Sequence, residues 1–527
     1  MTSSGVTLFY NADLITLEPD CPCADSLVCV DGIIRFVGKE REARGFLRAY
    51  PAFEEVNLAG AAAIPGFYEA HGHMMINPLQ YHHVNFSKCP VHTMEDCLET
   101  IRAAARAIPE GEWVICRDFD EGRLDRPEYP TRAMLDGIST AHRIVVGHIT
   151  GHSGFANSAA MELMPSLLES AADGKLDERD LSVFYNQFVP KGDMDYAINA
   201  VMDDQRSWLA AGITTMNDAG FSGQGFSMLP VFRRLIDGDL LRCRVAMSVN
   251  MADNEPEQFL QAVEALDLHA ELIHHIPSVK LFYDGSIQVG TAYLTQPYFN
   301  DAANRGAAAM AREALEERVL CAYRHGSGVI VHTNGDAAMD DVLDAIEHAR
   351  AQCPPIRGKS ALIHAQTMRT DQVDRAKRLE VIPSFFAGHI YYWGDVHVGK
   401  YLGPERGARI SPAGEAADRG MPFTLHCDFP VIEENPLLMI HCAVNRQTQS
   451  GAVLGSALCV SPLEALKGYT LYAALQCGDA ERTGSLRTGK LADLAVLDRN
   501  PLICPPTQLK EIQVLRTIVG GNTVYER

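Results

Sequence analysis

The stretch Ile64–His73, IPGFYEAHGH, runs from an apolar start into two histidines separated by one glycine. In an extended chain residues two apart point to the same side, so His71 and His73 present paired imidazoles on one face. Gly72 lets the backbone pass close to whatever those rings hold. A bare His-x-His pair is more often two polar residues at a loop start. It becomes a metal site only if other strand ends supply further ligands, so the reading of this stretch depends on the fold around it.

Seven further apolar or β-branched runs follow: ITTMNDAG from Ile213, CRVAMSVN from Cys243, SVKLFYDG from Ser278, GVIVHTNGD from Gly328, SALIHAQ from Ser360, VIPSFF from Val381 and PFTLHCD from Pro422. Helical stretches lie between them, the alternation expected of βα units and a parallel sheet. Eight such units predict an α/β fold of the (β/α)8 TIM-barrel type, with chemistry at the C-terminal strand ends. A doubly wound sheet would need a glycine-rich phosphate turn after its first strand, and none is present.

Both ends of the chain read as short strands. VTLFYNADLITL, SLVCVDGIIRFVG with Asp31-Gly32 as a hairpin turn, and FEEVNLAGAAAIPG open the chain; KLADLAVLDRNP and IQVLRTIVGGNTVYER close it. We therefore expect a small β-sandwich from residues 1–61 plus 480–527 and a barrel over 62–479. The gap between the first two barrel strands far exceeds a βα unit, so residues 81–206 are expected to be an inserted lid that shapes the substrate pocket.

Composition narrows the function. The 527 residues carry 46 Lys and Arg against 67 Asp and Glu, a net charge of −21. That field repels phosphate backbones and anionic lipid, so neither a nucleic acid nor a membrane is expected as a partner. The N-terminal MTSSGVTLFYNADLITLEPD has neither a basic start nor a long apolar core, and no run approaches the ~20 apolar residues of a membrane span. The 14 cysteines include no C-x-x-C pair, and Cys21 and Cys23 are too cramped for a zinc loop. Reduced thiols in a cytoplasmic protein are the expectation.

The polar strand ends, in order, are His71 and His73, Lys280, His332, His364 and Asp428. A lysine inside an apolar barrel is costly as a cation. Lys280 is either paired with Asp284 or Glu271, or carries CO2 on an unprotonated amine as an anionic bridge between two metals. His332 and His364 end neighbouring strands at matching positions, where one alone would more often be a core histidine. Together the six residues make two ion sites: His71, His73 and Asp428 on one, His332 and His364 on the other, Lys280 across both. Such ligands favour Zn2+, with Mn, Fe or Co also fitting.

These motifs resemble a family. PGFYEAHGH, KLFYDGS, HTNGDAA, IHAQ, LHCDFP and the closing GSLRTGKLADLAVLDRNP are similar to the amidohydrolase superfamily, and most to its YtcJ-like (amidohydrolase 3) group, which includes N-substituted formamide deformylases. The likeness runs from about Asn11 to Val524. GHIYYWGDVH and LGPERGARISP resemble one branch of that group and add His389, Trp393, Asp395 and His397 as pocket candidates. Where many relatives carry Ser-Asp-x-Pro, Cys427 stands here before Asp428. Gly174, Leu176 and Glu178 resemble the family's short G-x-L-x-E segment. The resemblance implies a barrel with a composite sandwich, a metal centre and hydrolysis of C–N bonds other than peptide bonds.

The expected mechanism has a metal-bridging hydroxide attack the carbonyl while Asp428, as general acid and base, passes the water proton to the leaving nitrogen. His389 or His148 would hydrogen-bond the carbonyl oxygen, although each is at least as well read as a structural histidine. Trp393, within the aromatic stretch Phe385, Phe386, Tyr391, Tyr392, faces the barrel mouth. Trp113, His152 and Asn157 belong to the lid and are expected to contact substrate. Asn334 and Asp336 either orient His332 or cap the next helix, the cap being the favoured reading. Two alternatives stay open: a mononuclear deaminase, which needs no Lys280, and a non-catalytic metal-stabilised binding protein. Amide, formamide, lactam and carbamate substrates all suit the site. A homodimer is compatible with such a chain, but no motif specifies one.

Overall fold

A strand buried on both faces needs no polar alternation, and Gly328–Thr333, GVIVHT, is buried at every position. It is the fifth of eight parallel strands in the computed structural model, which describes residues 5–75, 78, 81–151, 153–165, 173–221, 229–251 and 272–527. These strands are β1 Phe67–Gly72, β2 Ile213–Phe221, β3 Arg244–Asn250, β4 Ile273–Phe282, β5 Gly328–Thr333, β6 Ala361–His364, β7 Ile382–Phe385 and β8 Thr424–Leu425. Each pairs in parallel with the next, so sheet order is chain order, as in a (β/α)8 barrel. All eight fall on the expected runs.

The barrel closes unevenly. β8 is two residues long and pairs with β7 through Ser384–Thr424 and Phe385–Leu425. Among the described residues no backbone ladder joins β8 to β1. The seam is instead crossed by the His73 N–H, which donates to the Phe429 carbonyl at 2.7 Å, and by the Glu69 carboxylate, which accepts the Cys427 N–H at 3.2 Å.

Strands from both chain ends form two sheets. Val6–Tyr10, Ser26–Val30, Ile33–Gly38 and Glu54–Asn57 make one; Asp13–Ile15, Cys23–Ala24, Ala62–Pro65, Leu494–Leu497, Val514–Val519 and Asn522–Glu526 make the other. Phe9, Leu27 and Ile34 of the first share a core with Leu14, Ala63, Leu494, Val496 and Ile518 of the second. The Asp31-Gly32 turn has both residues at positive φ, 49° and 79°, as a two-residue hairpin requires. A buried ion pair, Arg244 Nε to Asp493 Oδ2 at 2.6 Å, ties the start of β3 to this accessory domain.

Residues Ile76–Ala200 form a second compact unit, apart from Met1–Met75 with Val201–Arg527. Its five-stranded sheet runs Lys175–Asp177, Ser153–Ala156, Arg143–His148, Trp113–Phe119, Val84–Asn85. Both faces are covered: Val114, Cys116, Ile144 and Phe155 pack on one side, Trp113, Ile115, Val145 and Phe184 on the other. Among the described residues no helix is long and apolar enough to cross a membrane.

Candidate metal centre

β1 carries His71 as its last residue but one and leads into His73, and Asp428 follows β8, so the open seam brings their side chains face to face. One ligand atom from each lies within 4.8 Å of the other two. The Nε2 atoms of His71 and His73 are both 3.4 Å from Asp428 Oδ1, and their rings stand nearly perpendicular, 5.1 Å apart. Asp428 and His364 sit at φ 57° and 69°, a left-handed conformation that non-glycine residues adopt rarely and that gathers at functional sites.

Protonation favours ligation. His71 is fully buried, and burial first, then the charge of Lys280, holds its imidazole well below the ordinary value, so it is neutral with lone pairs to give. Burial pushes the Asp428 carboxyl up, but the neighbouring His73, then His426 and Lys280, outweigh it and hold it at about 2. Asp428 Oδ1 has no hydrogen-bond donor among the described residues. A buried anionic oxygen 3.4 Å from two imidazole nitrogens fits a divalent cation and is costly without one.

The other expected residues lie around this cluster. Lys280 Nζ is 3.2 Å from His71 Nε2 and 4.7 Å from the centre of the Phe282 ring. Burial lowers its amine to about 7, against the opposing pull of Asp428. Asp284, one of the two expected ion-pair partners of Lys280, is engaged elsewhere: it accepts from His332 Nδ1 at 3.1 Å and from the Tyr293, Asn334 and Gly335 N–H groups. Glu271, the other, lies outside the described residues. His364 Nε2 is 3.9 Å from Asp428 Oδ2, and its ring is 4.6 Å from His332 and 5.6 Å from His71.

On the helix Gly388–Val396, His389 lies 6.1 Å from His364 and Trp393 lies 5.8 Å from His389, with Phe386 4.5 Å from His389, ring to ring. Burial, then the charge of His397, holds His389 well below its usual value. The neighbouring candidates turn to other partners. Asp395 accepts from Thr448 and Ser450, and Gln366 Nε2 lies 3.3 Å from His397 Nδ1. In the second unit both ring nitrogens of His148 are engaged, one by Glu121 and one by Thr150, each at 2.8 Å. Trp113 packs 6.0 Å from Phe184, and Asn157 caps the helix Ser158–Met161. His152 lies outside the described residues.

The cap expected from Asn334 and Asp336 is formed differently. Gly335 is the N-cap of helix Asp336–Gln352 and makes no side-chain bond. The Asp284 carboxylate reaches over to accept its N–H at 2.7 Å, while Asp336 accepts from the Thr295 N–H and from Arg369. Asp284 thereby fixes His332 as well, since accepting from Nδ1 orients the ring, whose Nε2 lies 3.5 Å from Asn334 Nδ2.

Three residues escaped the sequence reading. His426 is wholly buried, 5.1 Å from His71 and 5.2 Å from His364 by ring centres, and neither of its nitrogens has a hydrogen-bond partner among the described residues. Its signal was available: His426-x-Asp428 repeats the spacing of His71-x-His73. Glu69 and the bracing role of Asp284 had no local signal.

The amidohydrolase family model matches residues 54–525. An N-substituted formamide deformylase from Arthrobacter pascens is 28% identical over 563 aligned residues, covering 100% of this chain and 99% of the relative. Two uncharacterized metal-dependent hydrolases share the fold. That from Pyrococcus horikoshii has a TM-score of 0.74 at 22% identity over 95% of this chain and 99% of its own. That from Pyrococcus furiosus has 0.72 at 24% over 94% and 100%.

Proposed function

This chain belongs to the amidohydrolase family, and on that premise we propose that it hydrolyses a C–N bond of a small amide or formamide at the ion site formed by His71, His73 and Asp428. The observation that carries this reading is the convergence of those three ligand atoms within 4.8 Å at the C-terminal ends of β1 and β8. His71, His73 and Asp428 would hold a divalent ion there, which would supply a water with a pKa near 7 and a Lewis acid for the substrate carbonyl.

The chain's own groups supply the rest. Asp428, anionic and without a donor on Oδ1, takes the proton of the attacking water and delivers it to the leaving nitrogen. His389, 6.1 Å from His364 between ring centres, donates to the carbonyl oxygen as charge builds there. Phe386 and Trp393 form an aromatic wall next to His389 that keeps water from the apolar side of the substrate. The formamide choice leans on the Arthrobacter pascens relative, at 28% identity, and on the motif likeness to the YtcJ-like group.

A second ion is favoured by a separate observation. Lys280 presents an amine lowered to about 7 at 3.2 Å from His71 Nε2, with His332 and His364 beside it. An unprotonated amine is the form that combines with CO2. Metal stoichiometry on protein purified without chelator, with Lys280→Ala in parallel, decides the matter. About two ions per chain falling to one or fewer in the variant supports the bridged pair. One ion in both leaves a mononuclear centre and directs substrate screening to deaminations. No ion in either removes the proposal.

A further inference from the structure

The seam between β1 and β8 is where the barrel lacks a backbone ladder among the described residues, and the proposed ion site straddles it. His71 and His73 come from one side and Asp428 from the other. Every other neighbouring pair of strands has its spacing fixed by parallel hydrogen bonds. Here a single backbone bond among the described residues, from the His73 N–H to the Phe429 carbonyl at 2.7 Å, is joined by a side chain. The wholly buried Glu69 carboxylate accepts the His71 N–H at 3.3 Å on Oε1, the Cys427 N–H at 3.3 and 3.2 Å on its two oxygens, and the Tyr469 hydroxyl at 2.8 Å on Oε2. Its partners on the two strands are thus the N–H of one ligand and the N–H immediately before another.

Tyr469 is fastened to both sides. Its carbonyl accepts the Tyr68 N–H at 2.9 Å, and its ring meets Phe67 edge-on at 6.0 Å. Because its O–H goes to Glu69, its oxygen accepts the Cys427 thiol proton at 3.1 Å, and the sulfur in turn accepts the Asn435 N–H at 3.4 Å. An apolar residue at position 69 would leave two buried N–H groups unpaired, at roughly 1–3 kcal/mol each.

We propose that Glu69 is a positioning residue: with Tyr469 it sets the distance between the ends of β1 and β8, so that His71, His73 and Asp428 meet on one ion. The proposal rests on the metal-centre reading above. It also gives Cys427 a function, since the residue standing where many relatives carry serine is a link in the same chain.

The test is a Co2+ titration of chelator-treated wild type, Glu69→Gln and Tyr469→Phe. The visible absorption of bound Co2+ and the melting temperature of the metal-free protein are read in parallel. Glu69→Gln is expected to weaken the first equivalent of Co2+ about 10- to 100-fold and to change its absorption bands. Tyr469→Phe keeps Glu69 in place and removes only the hydroxyl, so a smaller weakening there, with altered bands, marks a geometric effect. Wild-type affinity and bands in a folded Glu69→Gln overturn the proposal. If that variant does not fold, unaltered bands in Tyr469→Phe overturn it alone. A wild type that binds no Co2+ removes the metal-centre reading and this proposal together, whereas a wild type that binds normally beside unaltered variants removes only this one.

Discussion

His426 puts a wholly buried imidazole among His71, His364 and Phe386 with neither nitrogen hydrogen-bonded among the described residues. Burial pulls it down to about 4, so the ring is neutral and one nitrogen carries a lone pair. An unpaired polar group of this kind costs on the order of 1–3 kcal/mol, which an apolar residue of similar volume would recover. His426→Leu should therefore leave the urea midpoint of the metal-free protein unchanged or raised. If the ring serves the centre, hydrolysis by the same variant falls at least about tenfold. Stability and rate moving in opposite directions is the signature to look for. A stabilised variant with an undiminished rate would make His426 a packing residue. The residue was legible from its spacing alone, because the two-residue period that pairs His71 with His73 also pairs His426 with Asp428. Lys280 was legible as a buried lysine but not by partner. The carboxylate nearest in sequence, Asp284, turns instead to His332, 48 residues away.

At the level of elements, the eight barrel strands could be read because parallel strands buried on both faces appear as unbroken apolar runs ending in a polar residue. The junctions could not, because what fixes them comes from distant parts of the chain. The start of helix Asp336–Gln352 shows why. Its N-cap, Gly335, donates to Asp284, 51 residues back, and its first-turn Ala337 and Ala338 N–H groups donate to the Tyr293 carbonyl. That carbonyl passes so close that a Cβ on Gly335 would lie 1.9 Å from its oxygen. Gly335→Ala must push the Tyr293 backbone away, and with it the Asp284 carboxylate that braces His332. The expected result is a loss of roughly 1–3 kcal/mol in urea unfolding together with reduced turnover. Gly399→Ala, where a Cβ meets nothing within 4 Å, is the control and should change neither. Equal midpoints for the two variants would show that the Tyr293 segment yields without consequence. Glu69 extends the lesson, since its acceptor role on Cys427 joins residues 358 apart and no local pattern announces it.

For the whole molecule, the eight apolar runs and the two strand-rich ends indicated a barrel with an accessory sheet domain, because such runs and the Asp31-Gly32 turn are local signals. The interior of the Ile76–Ala200 unit was not indicated, since its buried polar contacts join segments far apart in the sequence. Glu121 and His148 are the central case. His148 Nε2 meets Glu121 Oε2 at 2.8 Å, and the Tyr129 hydroxyl donates to Oε1 at 2.7 Å. Burial pushes the Glu121 carboxyl up, but the bond to His148, its charge and the Tyr129 hydroxyl together hold it below the usual carboxylate range. A carboxyl depressed in the folded state contributes stability that is complete above its unfolded value, about 4.3, and is lost as pH falls through the lower folded value. Hydrogen exchange of the strand Arg143–His148, corrected for intrinsic rates, reads this directly. Wild type should be better protected than Glu121→Gln at pH 6, by about 1.5–3 kcal/mol if the charge-assisted bonds carry their usual weight. The gap should close as the pH is taken from 5 to 3, because protonation then makes the wild-type carboxyl as neutral as the amide. A gap constant across that range would mean that Glu121 holds the unit by shape and not by charge, and that acid sensitivity in this unit comes from another carboxylate.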